Sequence, residues 1–525
     1  MEANHCQKEI FLGELCRRAG IKVSDAYRRI AVCGLTSDSR RVQSGYLFIA
    51  INGRSTSVES HIREATERGA CAVAVEEHVS ADISVPIVCL DNARERAARL
   101  FYAWYFREDT PPRLIGVTGT NGKTTTASMI FHIFNFCGER TGMIGTLGAV
   151  SPDKIPYGIL PFDSRANMTT PDPEELYAIL RRMKDDGARY AVMEVSSHAL
   201  VSGRVAPLSF EAGIFTNLTP EHLDMHGDID SYYFAKRSLF DKVKTAIINA
   251  DDRYGRLLLS DAVAAKRRIA CHGGVRTTYT DCLTEFGIFA DCAAAEQIKE
   301  IKPFGNYEYL MVTPTARVRL NSRLPGRYNV MNSMQAALAA VELGLSPSEI
   351  RRANACFEGV SGRLERVDIP DRLGFSVYID YAHTPDALEN LLVTAKSLRR
   401  GRGRIILLFG CGGDRDRSKR REMAHIASRM ADMTVITSDN SRSEDPEQII
   451  ADILSGIDKH STYATVPDRA EAIRYAVGCA RQGDVILLAG KGHEQYEIDK
   501  SGKHPFSERD IVQKAAKRLA ADAGE

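Results

Sequence analysis

Short apolar runs that end in polar residues recur along this sequence. In the middle of the chain they cover residues 190–193, 212–215 and 245–248. The polar residues that follow them are Glu194, Thr216, Asn217 and Asn249. Apolar runs of this length, separated by helical lengths of chain, are typical of a parallel β-sheet covered by helices on both faces. Because such a sheet binds its ligand beyond the carboxyl ends of its strands, we expect these polar residues to face a binding site.

The same pattern returns in the last third of the chain. Apolar runs at residues 404–409, 433–437 and 485–489 are each followed by a charged or glycine-rich segment. Those segments occupy residues 410–416, 438–442 and 490–494. The pattern predicts a second sheet of buried strands, with a second edge of the site at the ends of those strands.

The chain divides into three α/β regions. Residues 1–110 hold a helix, a turn leading into a strand at 36–50 and a helix-strand unit at 62–75. Pro111 and Pro112 stiffen the chain and cannot donate to a β-ladder, so they indicate a first boundary, and a second lies around residues 357–366. We therefore predict domains at 1–110, 111–358 and 359–525. The pattern from 273 to 302 is irregular and predicts no element or role.

Residues 114–126 combine a short apolar strand, a glycine-bearing turn and a Lys-Thr pair that opens an apolar helix. Gly119 and Gly122 let the backbone N–H groups face inward, Lys123 adds a positive charge, and the Thr124 hydroxyl suits Mg²⁺. Val117 stands where the general phosphate-loop pattern has a glycine. The order of strand, loop and helix favours a phosphate-binding loop, and the alternative is a glycine-rich turn with a surface lysine.

Composition excludes several classes of protein. Of 525 residues, 44% are hydrophobic and 26% charged, and 69 Lys and Arg balance 68 Asp and Glu. This balance gives no basic surface for nucleic acid or an anionic membrane. The sequence contains no long apolar span and no N-terminal signal pattern, so we expect a cytoplasmic protein.

The cysteines and histidines give no sign of a transition-metal site. The 12 cysteines include no C-x-x-C pair, and contexts such as Cys89 in an apolar run favour buried free thiols. His222 and His226 lack the glutamate of a zinc protease, which disfavours a transition-metal enzyme.

Seven segments, in this order, resemble the Mur ligases. They are Gly-Thr-Asn-Gly-Lys-Thr-Thr at 119–125, Asn-Met-Thr-Thr-Pro-Asp at 167–172, Glu-Val-Ser-Ser-His-Ala-Leu at 194–200, His-Leu-Asp-Met-His-Gly at 222–227, Gly-Arg-Tyr-Asn-Val-Met-Asn at 326–332, Asp-Tyr-Ala-His-Thr-Pro-Asp at 380–386 and Gly-Lys-Gly-His-Glu at 490–494. The resemblance extends from about Ser37 to Glu494. It is closest to the members that add the third amino acid of the peptidoglycan stem peptide, and Val117 fits that family's form of the loop.

The resemblance implies three domains: a small N-terminal α/β domain that binds UDP-MurNAc, a central P-loop-type parallel-sheet ATPase domain and a C-terminal Rossmann-like α/β domain that binds the amino acid. It also implies a reaction. ATP converts the D-Glu carboxylate of UDP-MurNAc-L-Ala-D-Glu into an acyl phosphate, which the amine of the incoming amino acid attacks. The expected partners are this nucleotide sugar, ATP and a diamino acid, with no nucleic acid, no membrane and a monomeric chain.

The resemblance assigns roles around ATP and Mg²⁺. The expected catalytic residues are Lys123, Glu194, His222, Lys236 and His383. The Mg²⁺ ligands would be Thr124, Glu194, His222 and Lys236, the last as a carbamate; without the family, Lys236 would be interpreted as an ordinary helix-surface lysine. The ATP-binding set is Gly119, Thr120, Asn121, Gly122, Lys123, Thr124, Thr125, Asn329, Asn332, Arg363 and Asp380.

For the nucleotide-sugar substrate, the matching residues are Ser37, Asp38, Ser39 and Arg40 on the uridine side and Thr169, Thr170, Ser196 and Arg204 on the peptide side. This chain also differs from the family pattern at two places. The family has Asp-Gly-His-Asp-Phe where this chain has Ser-Val-Glu-Ser-His at 57–61, and a glutamine where Ser202 stands. These changes affect the expected contacts with uracil and the muramoyl sugar, and they leave the reaction unaffected.

The amino acid added depends on the C-terminal loops. The matching residues are Arg415, Asp439, Asn440, Arg442, Gly490 and Glu494. The two arginines suit the carboxylates of meso-diaminopimelate, and Glu494 suits its distal ammonium. Ser441 replaces the proline of members that add diaminopimelate, so lysine or ornithine stays an alternative.

Two further alternatives concern the activity itself. A folylpolyglutamate-synthetase-like ligase would share the phosphate loop but lack the Asp-Ser-Arg domain ahead of Pro111. A nucleotide-binding module without catalysis would have no need of Lys123, Glu194, Lys236 and His222 together. Both are disfavoured on these grounds.

Overall fold

The computed structural model describes residues 9–51, 58–76, 83–157, 168–273, 278–286, 290–301 and 306–522. The chain forms two compact units. The first unit comprises Met1–Thr118, Glu139–Gly213 and Ala235–Lys244. The second unit comprises Gly119–Gly138, Ile214–Phe234 and Thr245–Glu525. No helix within the described residues is long and apolar enough to cross a membrane.

The N-terminal part of the first unit alternates strands and helices, as its apolar pattern predicts. Its elements are β1 Ile10–Phe11, α1 Leu12–Ala19, β2 Ala31–Val32, β3 Gly34–Thr36, β4 Tyr46–Ile49, α2 Val58–Glu67, β5 Ala72–Glu76, β6 Ile87–Leu90 and α3 Ala93–Tyr105. Strands β3, β4, β5 and β6 form a parallel sheet in that order. Phe48 and Val73 pack there with Ile62 and Ala65 of α2.

The expectation that Cys89 is buried is wrong. Strand β6 lies at the edge of its sheet and alternates exposed and buried residues, with Ile87 and Cys89 exposed and Val88 and Leu90 buried. An edge strand covered on one face has this alternation, whereas a continuous apolar run suggested burial on both faces. All the cysteines described are free, and five of them, Cys16, Cys271, Cys282, Cys292 and Cys411, are buried.

The central part of the chain passes between the two units several times. Its elements are β7 Arg113–Thr118, α4 Lys123–Phe136, β8 Thr141–Gly145, β9 Gly148–Val150, α5 Pro173–Asp185, β10 Tyr190–Glu194, α6 Ser197–Val201, β11 Phe210–Phe215, α7 Leu223–His226, α8 Ile229–Arg237, β12 Val243–Asn249, α9 Arg253–Asp261, β13 Arg267–His272, α10 Tyr279–Phe286, β14 Asp291–Ile301, β15 Asn306–Val312, β16 Arg317–Ser322, α11 Tyr328–Glu342 and α12 Pro347–Cys356.

Within the first unit, β7, β10 and β8 are parallel neighbours in that order, and β9 pairs antiparallel with β8. Within the second unit, β12, β13 and β14 are parallel, but β14, β15 and β16 are antiparallel. The parallel arrangement predicted for the earlier strands is therefore followed by an antiparallel part, for which the sequence pattern predicts no strand direction. Strand β14 also occupies part of the region from 273 to 302 for which the sequence pattern predicts no element.

The C-terminal part of the second unit is a parallel sheet with helices on both faces. Its elements are β17 Glu365–Val367, β18 Ser376–Asp380, α13 Pro385–Leu398, β19 Ile405–Phe409, α14 Ser418–Met430, β20 Met433–Ile436, α15 Pro446–Leu454, β21 Tyr463–Thr465, α16 Arg469–Cys479, β22 Val485–Ala489, β23 Tyr496–Asp499, β24 Gly502–Pro505 and α17 Glu508–Asp522.

The strand order of this sheet is β17-β18-β22-β19-β20-β21, and only β17 is antiparallel to its neighbour. Successive residues of the central strands pack in two separate clusters, since Leu407 and Leu487 face one side and Ile406 and Ile486 the other. All residues of β19 and β22 are buried, as the continuous apolar runs predict. The sheet therefore presents its polar loops only at the strand ends.

Candidate active site

The predicted phosphate loop turns sharply between β7 and α4. Gly119 and Gly122 have φ angles of 146° and 86°, which only glycine adopts without strain. A Cβ atom on Gly119 would lie 1.9 Å from Thr216 Oγ1, and one on Gly122 would lie 2.6 Å from Asn332 Oδ1. Both glycines are therefore required by close approach as well as by conformation.

The polar residues after β11 hold this loop, as their position at a strand end predicts. Thr216 Oγ1 donates to the Asn121 carbonyl at 2.6 Å, and Asn217 Nδ2 donates to the same oxygen at 3.1 Å. The amide of Asn121 donates in turn to Asn217 Oδ1 at 2.9 Å. The loop backbone is thus fixed by side chains about a hundred residues away in sequence.

Lys123 and Thr124 begin helix α4 at the end of the loop. The Lys123 ammonium donates to the carbonyl oxygens of Gly119 and Thr120, at 2.9 and 2.7 Å, so its charge lies against the loop. Thr124 Oγ1 accepts a hydrogen bond from Arg363 Nη2 at 3.0 Å. Thr125, the last predicted member of the loop, is buried.

Side chains from the C-terminal part of the second unit contact this loop. The Arg363 guanidinium that reaches Thr124 also lies over the ring of Tyr381, 4.8 Å from its centroid. Asn121 Nδ2 donates to Asp386 Oδ2 at 2.9 Å. Burial raises the pKa of the Asp386 carboxyl, although the hydrogen bond from Asn121 acts to lower it. Asp386 ends one of the seven family segments but has no role predicted from the sequence, because its partner is 265 positions away.

Glu221 links two predicted catalytic histidines. Its carboxylate lies 3.2 Å from His383 Nε2 and 3.8 Å from His222 Nε2. Burial alone would raise the pKa of Glu221, but the hydrogen bond with His383 and the nearby charges outweigh it and hold the pKa well below its ordinary range. His222 itself has a φ of 57°, a left-handed conformation that is rare outside glycine. Glu221 was not among the predicted site residues.

The other predicted ATP-binding residues of the second unit form two hydrogen-bonded groups. Asn332 Nδ2 donates to Asn329 Oδ1 at 3.0 Å, and both side chains are buried. Asp380 accepts hydrogen bonds from the backbone N–H groups of Leu364 and Ala382, at 2.6 and 2.8 Å. Burial raises the pKa of Asp380, against the lowering influence of Arg363.

Glu194 ends β10 in the first unit, and the residue is only 2% exposed. Thr146 donates to it from the backbone nitrogen at 2.9 Å and from the hydroxyl at 3.1 Å. A Cβ atom on Gly145 would lie 2.2 Å from Glu194 Oε1, so the absence of a side chain there makes room for the carboxylate. Thr146, another residue without a predicted role, therefore orients Glu194.

The predicted peptide-side residues gather next to Glu194 in the first unit. Thr170 Oγ1 donates to the Glu194 carbonyl at 2.9 Å and accepts from the Ser196 amide at 3.0 Å. Arg204 Nη1 donates to the Thr170 carbonyl at 2.7 Å, and Thr169 Oγ1 lies 3.2 Å from Thr146 Oγ1. The structure therefore brings all four residues of this set together. Asn167 of the same motif lies outside the described residues.

The predicted uridine-side serines are held by two different glutamates of the first unit. Ser37 donates to Glu174 from its amide and its hydroxyl, both at 2.8 Å, and Arg41 pairs with the same carboxylate at 2.9 Å. Ser39 donates to Glu64 at 2.6 Å and lies 3.2 Å from His61 Nδ1. His61 belongs to the segment in which this chain departs from the family pattern, and Glu64 follows it on the same helix. Ser57 of that segment lies outside the described residues.

Lys236, the predicted carbamate, is 1% exposed on α8. The alternative of a helix-surface lysine is therefore wrong. Of the predicted Mg²⁺ ligands, Lys236 and Glu194 belong to the first unit, and Thr124 and His222 belong to the second. Within the described part of the chain, no group of three or more His, Cys, Asp and Glu side chains is placed to hold a metal ion.

The predicted amino-acid-binding residues form one cluster at strand ends of the C-terminal sheet. Asn440 Nδ2 donates to Glu494 Oε2 at 2.7 Å. A Cβ atom on Gly490 would lie 2.7 Å from Asp439 Oδ2, which accounts for a glycine at that position.

Two arginines add positive charge to the same cluster. Arg442 Nη1 donates to the carbonyl oxygen of Gly413 at 2.7 Å. Burial and the neighbouring Arg415 guanidinium lower the pKa of Arg442, whereas Asp439 and Glu494 act to raise it. The guanidinium of Arg442 therefore lies within electrostatic reach of a second guanidinium and of the carboxylates of Asp439 and Glu494.

Comparisons with known proteins agree with this arrangement. The Mur ligase middle domain model matches residues 117–340, and the Mur ligase glutamate ligase domain model matches residues 362–492. The UDP-N-acetylmuramoyl-L-alanyl-D-glutamate--2,6-diaminopimelate ligase of Chlorobaculum tepidum is 40% identical over 507 residues, which cover 96% of this chain and 95% of that protein. The enzyme of the same name from Chlorobium phaeobacteroides is 42% identical over 497 residues, covering 93% of this chain and 92% of that protein.

A solved structure of a ligase with this name aligns with a TM-score of 0.67 and 29% identity, covering 98% of this chain and all of that one. The predicted three-domain α/β fold is thereby confirmed, while the boundaries after residues 110 and 358 stay predictions. The matched segments contain the phosphate loop and Glu194, and from the C-terminal loops they contain Arg415, Arg442 and Gly490. The chain belongs to the Mur ligase family.

Proposed function

We propose that this protein is an ATP-dependent amide ligase that adds meso-diaminopimelate to UDP-MurNAc-L-Ala-D-Glu in peptidoglycan synthesis. The observation that carries the proposal lies in the second unit. There the phosphate loop is hydrogen-bonded, through Arg363 and Asp386, to the part of the chain that also presents the cluster of Arg415, Arg442 and Glu494. One unit thus contains a phosphate-binding loop and a cluster suited to an amino acid.

The first step transfers a phosphoryl group. A carboxylate oxygen of D-Glu attacks the γ-phosphorus of ATP, the bond to the bridging oxygen breaks, and ADP leaves with that oxygen. Phosphoryl transfer requires positioning and charge neutralisation more than a protein nucleophile. Lys123 and the loop N–H groups would neutralise the β- and γ-phosphates, and Arg363 would approach from the C-terminal side.

The second step forms the amide. The neutral amine attacks the acyl carbon, and the tetrahedral intermediate then expels inorganic phosphate and loses a proton. Thr170, Ser196 and Arg204, held next to Glu194, would position the peptide end of the nucleotide sugar. Their mutual hydrogen bonds keep this surface in place before substrate binds.

The residue types proposed to hold Mg²⁺ suit this cation. The Thr124 hydroxyl, the Glu194 carboxylate and a carbamate on Lys236 are oxygen ligands of the kind this hard cation prefers, with His222 as a less usual ligand. When bound, Mg²⁺ would neutralise phosphate charge. Burial of Lys236 supports the carbamate, because a carbamate replaces a buried cation by an anion that suits a metal.

The choice of diaminopimelate rests on charge. The far end of diaminopimelate carries a carboxylate and an ammonium, whereas lysine and ornithine carry an ammonium alone. Arg415 and Arg442 offer guanidinium groups for the carboxylate, and Glu494 offers a carboxylate for the ammonium. For lysine or ornithine, Arg442 would face a side chain with no distal carboxylate.

Other aspects of the proposal follow from composition and family. We propose a cytoplasmic monomer without nucleic-acid or membrane partners, since the chain is nearly neutral, with 69 basic and 68 acidic residues.

Two alternative activities are disfavoured. A folylpolyglutamate-synthetase-like activity is disfavoured by the N-terminal β3-β4-β5-β6 sheet, because Ser37 and Ser39 follow the first strand of that sheet. A module without catalysis is disfavoured by the buried Glu194 and Lys236.

The decisive experiment incubates the purified protein with UDP-MurNAc-L-Ala-D-Glu, ATP, Mg²⁺ and one of diaminopimelate, lysine or ornithine. We expect phosphate release and a new amide with diaminopimelate. If none of the three amino acids caused phosphate release, the ligase proposal would be contradicted. A preference for lysine would contradict only the argument from Arg442. Lys236→Ala should lose most of the activity and regain part of it with added bicarbonate or short carboxylates; full activity in this variant would exclude the carbamate.

A further inference from the structure

Lys491 is a buried cation in the loop after β22, and its side chain is 0% exposed. Its ammonium donates to Asn440 Oδ1 at 2.9 Å and to the Tyr496 carbonyl at 3.1 Å. It also lies 3.4 Å from the carboxylate of Asp439. Because the ammonium is fully buried, it cannot itself contact an amino acid that enters from solvent.

Lys491 and the Ile498 amide together decide which way the Asn440 amide points. Asn440 Oδ1 accepts from Lys491 Nζ and also from the backbone N–H of Ile498, at 3.0 Å. Both of these groups are donors, so only the carbonyl oxygen of the amide can face them. The Nδ2 group must then face the other way, toward Glu494.

This orientation of the Asn440 amide places a hydrogen-bond donor next to the Glu494 carboxylate. Asn440 Nδ2 donates to Glu494 Oε2 at 2.7 Å, a short hydrogen bond to a carboxylate. With the amide reversed, the Asn440 oxygen would face the carboxylate and repel it. Lys491 therefore acts on Glu494 through one intervening side chain.

The hairpin of β23 and β24 supports the same loop from its other side. The Ile498 amide donates to Asn440, and the Ile498 carbonyl accepts from the Arg442 amide at 3.0 Å. Arg442 has a φ of 52°, a left-handed conformation that such a contact helps to hold. Asn440, Arg442 and Glu494 are thus positioned by one connected set of hydrogen bonds.

We propose that Lys491 is a positioning residue for amino-acid selection: it orients the Asn440 amide, which holds the Glu494 carboxylate in place for the ammonium of the incoming diamino acid. This inference rests on the proposed function. It gives the buried lysine of the Gly-Lys-Gly-His-Glu segment a role distinct from that of Glu494, which would touch the substrate.

Steady-state kinetics of Lys491→Met test the proposal. Loss of a charge-assisted hydrogen bond that orients a binding carboxylate should raise the KM for diaminopimelate by about 10- to 100-fold. The KM values for ATP and for the nucleotide sugar should stay close to those of the wild type. Lys491→Gln, which keeps an N–H donor, should show a smaller increase, and it serves as the second variant if Lys491→Met does not fold.

A double-mutant cycle with Glu494→Gln separates positioning from general damage to the fold. Because Lys491 acts through Glu494, removing Lys491 should have little further effect on the KM for diaminopimelate once Glu494 has been changed. Lys503→Met is the matched control, since Lys503 lies over the Tyr496 ring in the same hairpin, 3.7 Å from its centroid, and takes no part in this network. Its kinetics should match those of the wild type.

Two outcomes would overturn the inference. One is an equal rise in all three KM values in the Lys491 variants, and the other is the same effect of Lys491→Met with and without Glu494→Gln. Failure of the proposed function is distinguishable, because the wild-type protein would then release no phosphate in response to a diamino acid.

Discussion

His493 lies partly buried in the loop that also carries Lys491 and Glu494, and its Nδ1 atom has no hydrogen-bond partner among the described residues. Burial lowers the pKa of this imidazole to about 4, and the nearby Arg363 guanidinium acts in the same direction. The ring packs against Tyr381, with 5.4 Å between the ring centroids, and this packing is part of its burial. The protein holds the imidazole uncharged at neutral pH.

This pKa shift predicts how stability changes with pH. An unfolded histidine has a pKa of about 6.5, so between pH 4 and about 6.5 the unfolded chain binds more protons at this position than the folded chain. The stabilising contribution is complete above about pH 6.5 and is lost as the pH falls toward 4. His493→Gln should reduce the slope of unfolding free energy against pH by up to about 1.4 kcal/mol per pH unit in this range. Urea unfolding of both proteins at several pH values measures the slopes, and equal slopes would contradict the expectation.

At the scale of the element, the turn from β12 into α9 shows why a helix can require glycine. Asp252 caps α9 by accepting from the amides of Tyr254 and Gly255, at 2.9 and 3.0 Å. A Cβ atom on Gly255 would lie 1.8 Å from the Asn249 carbonyl oxygen, which is backbone and cannot move aside easily. Asn249 in turn donates to the carbonyl of Thr216, which holds the phosphate loop.

Two glycine substitutions in helices should therefore have opposite effects. A Cβ atom on Gly478 in α16 would meet no atom within 4 Å beyond its chain neighbours and the backbone of its own helix, so Gly478→Ala should stabilise the protein by about 0.5–1 kcal/mol through helix propensity. Gly255→Ala should destabilise it by about 1–3 kcal/mol or more, because the clash exceeds the gain in propensity. Urea unfolding of the two variants under the same conditions measures both changes. A stabilised Gly255→Ala protein would show that the turn relaxes.

Elements with a continuous apolar pattern were predictable from the sequence, and others were not. Residues 190–193, 405–409 and 485–489 lie in buried strands, because their runs are long enough to require cover on both faces. Strand β14 was missed, since its second half alternates and pairs antiparallel with β15 across a register shift between Glu296 and Lys299. When the alternation of a strand depends on the strand it pairs with, the local sequence gives only a weak indication that a strand is present.

At the scale of the whole molecule, the second unit joins segments that are far apart in sequence. Asn121 of the phosphate loop and Asp386 at the start of α13 are 265 positions apart and form a hydrogen bond of 2.9 Å. This contact, like that of Arg363 with Thr124, ties the nucleotide loop to the C-terminal sheet. Coupling between nucleotide and amino-acid binding would pass through these residues.

A double-mutant cycle tests the importance of this contact. Asn121→Ala and Asp386→Ala should each lower kcat/KM for ATP by about 10-fold, and the double variant should lose little more than either one, because both changes break the same hydrogen bond. Lys396→Ala is a matched control, since Lys396 lies exposed on the same helix, ten residues beyond Asp386. Fully multiplicative losses in the double variant would contradict a functional coupling of Asn121 with Asp386.

Local patterns in the sequence were sufficient for the phosphate loop and for the strand ends that hold it, whereas the residues expected at each substrate came from the family resemblance and stay predictions. Glycine conformation, buried apolar runs and polar strand endings are short-range properties, and they can be recognised without knowing the fold. The order of the seven segments added the family and its reaction.

Tertiary structure decided which polar groups orient those residues. Four contacts show this, because each joins chain segments that meet in the folded protein. They are the pairing of Glu221 with His383 and the hydrogen bonds of Thr146 with Glu194, Glu174 with Ser37 and Lys491 with Asn440. Burial of Lys236 and exposure of Cys89 were decided in the same way. The physical reason is that a hydrogen bond or a burial depends on distance in space, and that distance is set by the packing of whole elements.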